Sequence, residues 1–249
     1  MRKITILFLL IFLSAISILF TFNKIYPKNT KLTRTPGFTS RRDRIGEKIT
    51  YHIQLGKLNL GKAVFEHLPN TKLQGKKVNL MTFETRLARF TDLERIYSDP
   101  ENFLPLRVER YISTWPFPEE ITEDYDQEKF LLVIKKIKNN KQEELIIKKY
   151  SVINNAILLP YYVRDIAKLE VGYNLTAGLP TQEFIIELVG IEEIEVPAGK
   201  FMTYHFESRP KKFEIWVSAD ERRIPVKING LSGLRGLGYT LVMQEYSAN

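Results

Sequence analysis

The chain of 249 residues contains no cysteine. A disulfide scaffold, a zinc–cysteine site, an iron–sulfur cluster and a lipid-modified N-terminal cysteine are therefore excluded. Histidine is almost as scarce. His52, His67 and His205 are the only three, and no two of them stand at the helical or i, i+2 spacing of a metal-binding histidine pair. There is no phosphate-cradling glycine loop and no nucleophile elbow. Asp220-Glu221 places two carboxylates side by side, but adjacent strand residues point apart, so they do not form an acid–base pair. The sequence thus identifies no catalytic residue, no cofactor and no metal ligand, and the expectation is a protein that is not an enzyme.

What is present is a folded composition. Hydrophobic residues make up 44% and aromatics 12%, too many for a disordered chain. The net charge of +8 favours anionic partners, yet the basic residues are scattered and form no long run.

The longest apolar stretch is at the start. Met1-Arg2-Lys3 is followed by residues 4–22 without a charge. Nineteen residues span about 28 Å as a helix, close to the hydrocarbon thickness of a bilayer. This reads as an uncleaved signal anchor over residues 1–23. A basic linker with Pro27, Pro36 and Gly37 follows over 24–45, and a single β-rich domain over 46–249. The expected location is a single pass through a bacterial inner membrane with the β domain in the periplasm. The alternative is a cleaved, periplasmic protein, and export makes nucleic acid an unexpected partner.

Beyond residue 46 the pattern is of strands. Residues 48–55 alternate, with Ile49, Tyr51, Ile53 and Leu55 on one face. After a turn at Gly56-Lys57 the apolar phase switches between Leu58/Leu60 and Ala63/Phe65, which requires one added residue and predicts a bulge at Gly61. Further strands are expected over 77–86, 93–98, 104–113, 121–126, 129–138, 144–150, 182–190, 201–207, 211–218, 223–229 and 239–246. Asp99-Pro100, Asn139-Asn140 and Pro197-Ala198-Gly199 read as turns. Only residues 156–169 break the pattern, with Leu158, Leu159, Tyr162, Val163, Ile166 and Leu169 at helical spacing, which predicts one helix of about ten residues. The fold class is all-β, mostly antiparallel, with one short helix, as a curved sheet or half-open barrel.

Several stretches carry a resemblance. They are Gly46-Glu47-Lys48-Ile49-Thr50-Tyr51, Leu60-Gly61-Lys62-Ala63, Ser98-Asp99-Pro100 with Leu104-Pro105-Leu106-Arg107, and Glu195-Val196-Pro197-Ala198-Gly199-Lys200-Phe201. The longest is Ile215-Trp216-Val217-Ser218-Ala219-Asp220-Glu221-Arg222-Arg223-Ile224-Pro225-Val226. In order and spacing, from about residue 46 to 246, the chain resembles the domain of unknown function 3108 family of bacterial envelope proteins. The resemblance implies an exported antiparallel β protein similar to the half-open barrels of lipoprotein carriers and to capsule-export accessory proteins. It brings no established activity and no catalytic residues.

Two-sided strands such as Phe213, Ile215 and Val217 against Trp216 need cover on both faces, from a helix or a lined interior. The leading expectation is a non-catalytic module binding a lipid, an acyl chain or a glycolipid in an apolar groove. The alternative is a structural or accessory protein of cell-surface polysaccharide or lipoprotein machinery, acting through its surface; an envelope hydrolase comes third. Candidate groove or surface residues are the aromatics Trp115, Trp216, Tyr161 and Tyr162, with Arg107 and Arg223 as carboxylate or ligand clamps.

Overall fold

The computed structural model describes residues 44–248 apart from 115, 165, 167 and 231–237. The apolar span over 4–22, nearly all of the basic linker and Trp115 lie outside the described residues. Among those described, no helix is long and apolar enough to cross a membrane.

The strands are β1 (Lys48–Leu55), β2 (Leu58–Leu73), β3 (Lys76–Leu87), β4 (Phe90–Ser98), β5 (Pro105–Thr114), β6 (Glu119–Asp126), β7 (Leu131–Lys138) and β8 (Lys141–Lys148). After a crossing segment come β9 (Asn174–Gly178), β10 (Glu183–Val196), β11 (Gly199–Arg209), β12 (Phe213–Ser218), β13 (Pro225–Gly230) and β14 (Tyr239–Ser247). All fourteen form one sheet in the order β8-β7-β6-β5-β4-β3-β2-β1-β14-β13-β12-β11-β10-β9. Every pairing is antiparallel, and every one but β1–β14 joins consecutive strands.

The strands expected from alternation are present, with two differences. β9 was not expected, because Asn174-Leu175-Thr176-Ala177-Gly178 offers one large apolar side chain. β10 runs six residues beyond Gly190, where Ile191-Glu192-Glu193-Ile194-Glu195 is too acidic to read as a buried face.

The bulge sits where the phase change demands it. Ile53 pairs with Gly61 and Gln54 with Asn59, leaving Leu60 as the extra residue. A Cβ on Gly61 would stand 2.1 Å from the backbone oxygen of Arg86, so no other residue fits that close approach of β2 to β3. At the far hairpin, Asn139 and Asn140 both take positive φ (51° and 57°), the left-handed pair of a two-residue turn.

The crossing segment between β8 and β9 carries the helix α1 (Leu159–Arg164), shorter than the expected 156–169. Asn155 holds the residues before it as a turn, its Oδ1 accepting from Ile157 N at 2.8 Å and its carbonyl from Leu158 N at 3.2 Å. Ile166, just beyond the helix, lies in a β-bridge. All six residues of α1 are buried. Leu158, Leu159, Tyr161, Val163 and Ile166 enter one core with Tyr51, Phe65, Met81, Ile96, Leu188, Phe206 and Met243. Each such aliphatic side chain removed from water contributes roughly 1.5–3 kcal/mol. The sheet curls around α1, and the helix fills the interior.

The two sheet edges, β8 and β9, do not pair. The crossing segment spans them at one level instead. Asn154 N donates to Gly178 O (2.7 Å) at the end of β9, and Gln127, beyond β6, grips Ile153 through both its amide atoms (2.9 and 3.0 Å). The result is a half-open barrel.

Candidate functional site

Two polar constellations lie inside the curl. The first locks α1 in place. Glu47, just before β1, receives a two-bond clamp from Arg164, with Nη1 to Oε2 at 2.7 Å and Nη2 to Oε1 at 2.6 Å. Tyr161 OH and Tyr246 OH donate to the same carboxylate at 3.1 and 3.3 Å, and Arg164 Nη2 also donates to Arg222 O. Side chains of Glu47 and Arg164 are 3% and 1% exposed. Burial alone pushes the Glu47 carboxyl up, but the hydrogen bonds and charge of Arg164, with the charge of Arg44, hold it below its ordinary value. Both carboxylate oxygens of Glu47 and both terminal nitrogens of Arg164 are spent within the protein, so this is a structural lock.

The second constellation is open. β4, β5, β6 and β7 place Ile96, Val108, Tyr125 and Leu132 in the core. Side chains alternate, so residues of the same parity share that concave face. These are Asp92, Glu94, Arg110, Ile112, Glu119, Ile121, Glu123, Lys136 and Lys138, brought side by side by the pairs Glu94–Arg110, Asp92–Ile112, Val108–Glu123, Ile121–Lys136 and Glu119–Lys138. Along these strands the wall passes from apolar near α1 to ionic farther out.

Arg110 clamps Asp92 with two bonds (2.8 and 2.5 Å) and lies 3.4 Å from Glu94. Lys136 meets Glu119 at 2.8 Å, and Lys138 bonds the same carboxylate. Tyr125 OH donates to Glu123. Arg110 thus contacts two carboxylates and attracts a third, Glu123, through its charge, and they are not equally satisfied. Burial pushes Glu94 up to about 8; Arg110 pulls the other way, but the charges of Asp92 and Glu123 add to the rise. Glu123 is also raised, by burial, against its bond from Tyr125 and the pull of Arg110. A carboxyl raised this far favours its protonated form, which can donate a hydrogen bond, beside a guanidinium. The wall keeps water contact: Glu94 is 13% exposed and Arg110 22%. Next to it, β7 and β8 present Ile134, Leu145 and Ile147 on the same face, Leu145 being exposed. The wing formed by β4–β8 is therefore amphiphilic.

The residues singled out in the sequence are not gathered at this wall. Tyr161 and Tyr162 are buried in α1; Tyr161 stacks on Phe65 (4.9 Å) and Tyr162 OH donates to Phe103 O. Arg223 clamps the end of α1 by donating to the carbonyls of Arg164 and Ile166. Arg107 pairs with Asp124 on the convex face. Trp216 also faces outward, beneath Lys227 Nζ at 4.2 Å from its ring. Asp220 spends its carboxylate on Ser218, Arg222 and the backbone of its own turn. The ionic wall was missed because its strand reads inside out: Asp92 and Glu94 face inward and Leu93 outward, so alternation alone assigns the faces the wrong way round.

The family model "Protein of unknown function (DUF3108)" matches residues 50–232, and the chain belongs to that family. Among solved structures, the chain is similar to a β-barrel-like protein of domain of unknown function DUF1849 from Brucella abortus. The TM-score is 0.51 and the identity 9%, covering 82% of this chain and 98% of that one. A protein described as exported, with a YmcC-like fold, from Bacteroides fragilis matches at TM-score 0.29 and 11% identity over 85% of this chain and 99% of that one. The Brucella likeness is one of fold. No curated protein matches the chain significantly.

Proposed function

We propose that this DUF3108 protein is a non-catalytic binding module of the bacterial envelope. It takes an amphiphilic ligand of the glycolipid class on the concave wing of β4–β8. The observation that supports this reading is the solvent-reaching wall of Arg110, Glu94 and Glu123 beside the apolar Ile134, Leu145 and Ile147. Carboxyl, guanidinium and ammonium groups suit the hydroxyls and anionic groups of a sugar head, and the apolar strip suits the start of its lipid. A long acyl chain buried at the centre is disfavoured, since α1 already fills that space. The uncharged stretch over 4–22 supports attachment to the inner membrane or export through it.

The test is native mass spectrometry of the full chain isolated from envelopes in mild detergent. The expected result is a discrete added mass, extractable into organic solvent, that is lost in Arg110→Met. A bare protein mass, unchanged after incubation with total envelope lipid, overturns the reading. It would favour the surface-partner alternative, which has its own support in Ile146 and Ile137, both exposed on the outer face of the β7–β8 hairpin.

A further inference from the structure

On the opposite, convex face, β11 and β12 bring together groups to which neither the sequence pattern nor the concave site gives a role. His205 and Glu207 stand two apart on β11 and so share a face; Glu214 on β12 is the cross-strand partner of Glu207. One donor atom from each lies within 4.8 Å of the other two. The surroundings fix how each is presented. His205 Nδ1 lies 3.0 Å from Glu192 Oε1, the oxygen that accepts from Trp216 Nε1 at 2.7 Å. With the proton on Nδ1, the lone pair of the ring is on Nε2. That atom is buried and makes no hydrogen bond; it lies 3.5 Å from Glu214 Oε1 and 4.0 Å from Glu207 Oε1. Glu214 is turned in the same way: Asn229 Nδ2 donates to its Oε2 at 2.8 Å, leaving Oε1 for the shared point, and Thr240 braces Asn229 in turn. His205 is further held by stacking on Trp216, with ring centroids 4.2 Å apart.

Three acceptors thus converge on one point, an arrangement that repels itself unless a cation stands among them. Lys211 supplies one in part. Its Nζ is 3.2 Å from Glu214 Oε1 and 3.5 Å from Glu207 Oε1, but its side chain is 57% exposed and it satisfies the carboxylates alone. A histidine whose second ring nitrogen stands against a carboxylate oxygen, next to oriented carboxylate oxygens, is the usual dress of a metal ligand. Zinc at 2.0–2.2 Å from nitrogen and oxygen donors sets them about 3.4 Å apart, which these three, already within 4.8 Å of one another, reach by side-chain shifts and a swing of Lys211.

We propose that His205, Glu207 and Glu214 form a binding site for a divalent transition cation of the zinc class, with Glu192 and Asn229 orienting the ligands and Lys211 as a displaceable occupant. One imidazole and two carboxylates suit zinc better than calcium or magnesium. Three protein donors leave a fourth position on a tetrahedral ion for water or for a donor from a partner.

The experiment is a titration of the chelator-treated full chain with Zn2+ alone, by competition with a chromophoric chelator, read beside the thermal transition. One equivalent binds and raises the transition temperature. His205→Phe, which keeps the stacking on Trp216, abolishes both effects, and Glu214→Gln does so as an independent variant. Glu192→Gln weakens binding about 10–100-fold. Lys211→Met tightens it, a gain that no general loss of structure produces. Zinc binding that is undiminished in both His205→Phe and Glu214→Gln, absence of stoichiometric binding, or an affinity unmoved by Lys211→Met overturns the proposal.

Discussion

Glu47 and Arg164, 117 positions apart in the chain, meet as a two-bond ion pair buried between the first strand and the only helix among the described residues. The pair converts a six-residue helix, too short to hold itself in water, into a fixed plug. Removing one partner leaves a buried charge. Glu47→Gln or Arg164→Met is expected to cost about 3–5 kcal/mol in urea unfolding, while the double variant Glu47→Leu/Arg164→Met recovers part of the loss. A double variant no better than the worse single one would refute the coupling.

The same pair sets an acid limit. The folded-state pKa of Glu47 is held below the ordinary glutamate value, so its stabilisation is fully present above that value and is lost as pH falls through the lower, folded one. The wild type should lose stability below about pH 4.5 more steeply than Glu47→Gln, the two curves converging in acid. Parallel curves from pH 6 to pH 3 would contradict this.

Glu94 acts in the opposite sense. Its folded-state pKa is raised to about 8, so between 4.5 and 8 the folded protein binds a proton that the unfolded chain releases, and stability falls as pH rises. Glu94→Gln mimics the protonated form. It should be close to neutral at pH 4 and stabilising by roughly 1–4 kcal/mol at pH 8.5. The check is the melting temperature of both proteins across that range; a gain independent of pH would remove Glu94 as its source.

Gly61→Ala should be among the most damaging substitutions in the sheet. The new methyl would meet a backbone oxygen of β3, which a rotamer change cannot relieve. A loss of at least about 2–3 kcal/mol is expected, as for other overpacked sites. Gly190→Ala, where a Cβ meets nothing, is the control and should leave the midpoint nearly unchanged.

Local features of the fold were legible in the sequence. Lys48 to Leu55 alternates and is a strand; Gly61 marks the bulge; Asn139-Asn140 turns; the centre of α1 shows helical spacing around Pro160. These depend on neighbours within a few residues. The relationships that build the sites do not. Glu47 stands within a recognisable motif, but nothing nearby shows that its charge turns inward to Arg164. The ionic wall needs β4 and β5 in register before Arg110 can face Asp92 and Glu94. The convex cluster needs β10 to fold back before Glu192 can reach His205 and Trp216. A scan for pairs of histidines passes over it, because its second and third donors are carboxylates.

The pairing of β1 with β14 makes the last nine strand residues a keystone. As the chain emerges, β1 to β8 and then β9 to β13 can each zip as successive hairpins, yet the two ribbons remain separate until Tyr239 to Ser247 arrives between them. Until then two long unpaired edges, on β1 and on β13, face the solvent together, the most adhesive state the molecule visits. A chain without residues 239–247 would keep those edges for good, so the joining of the two halves rests on that one strand.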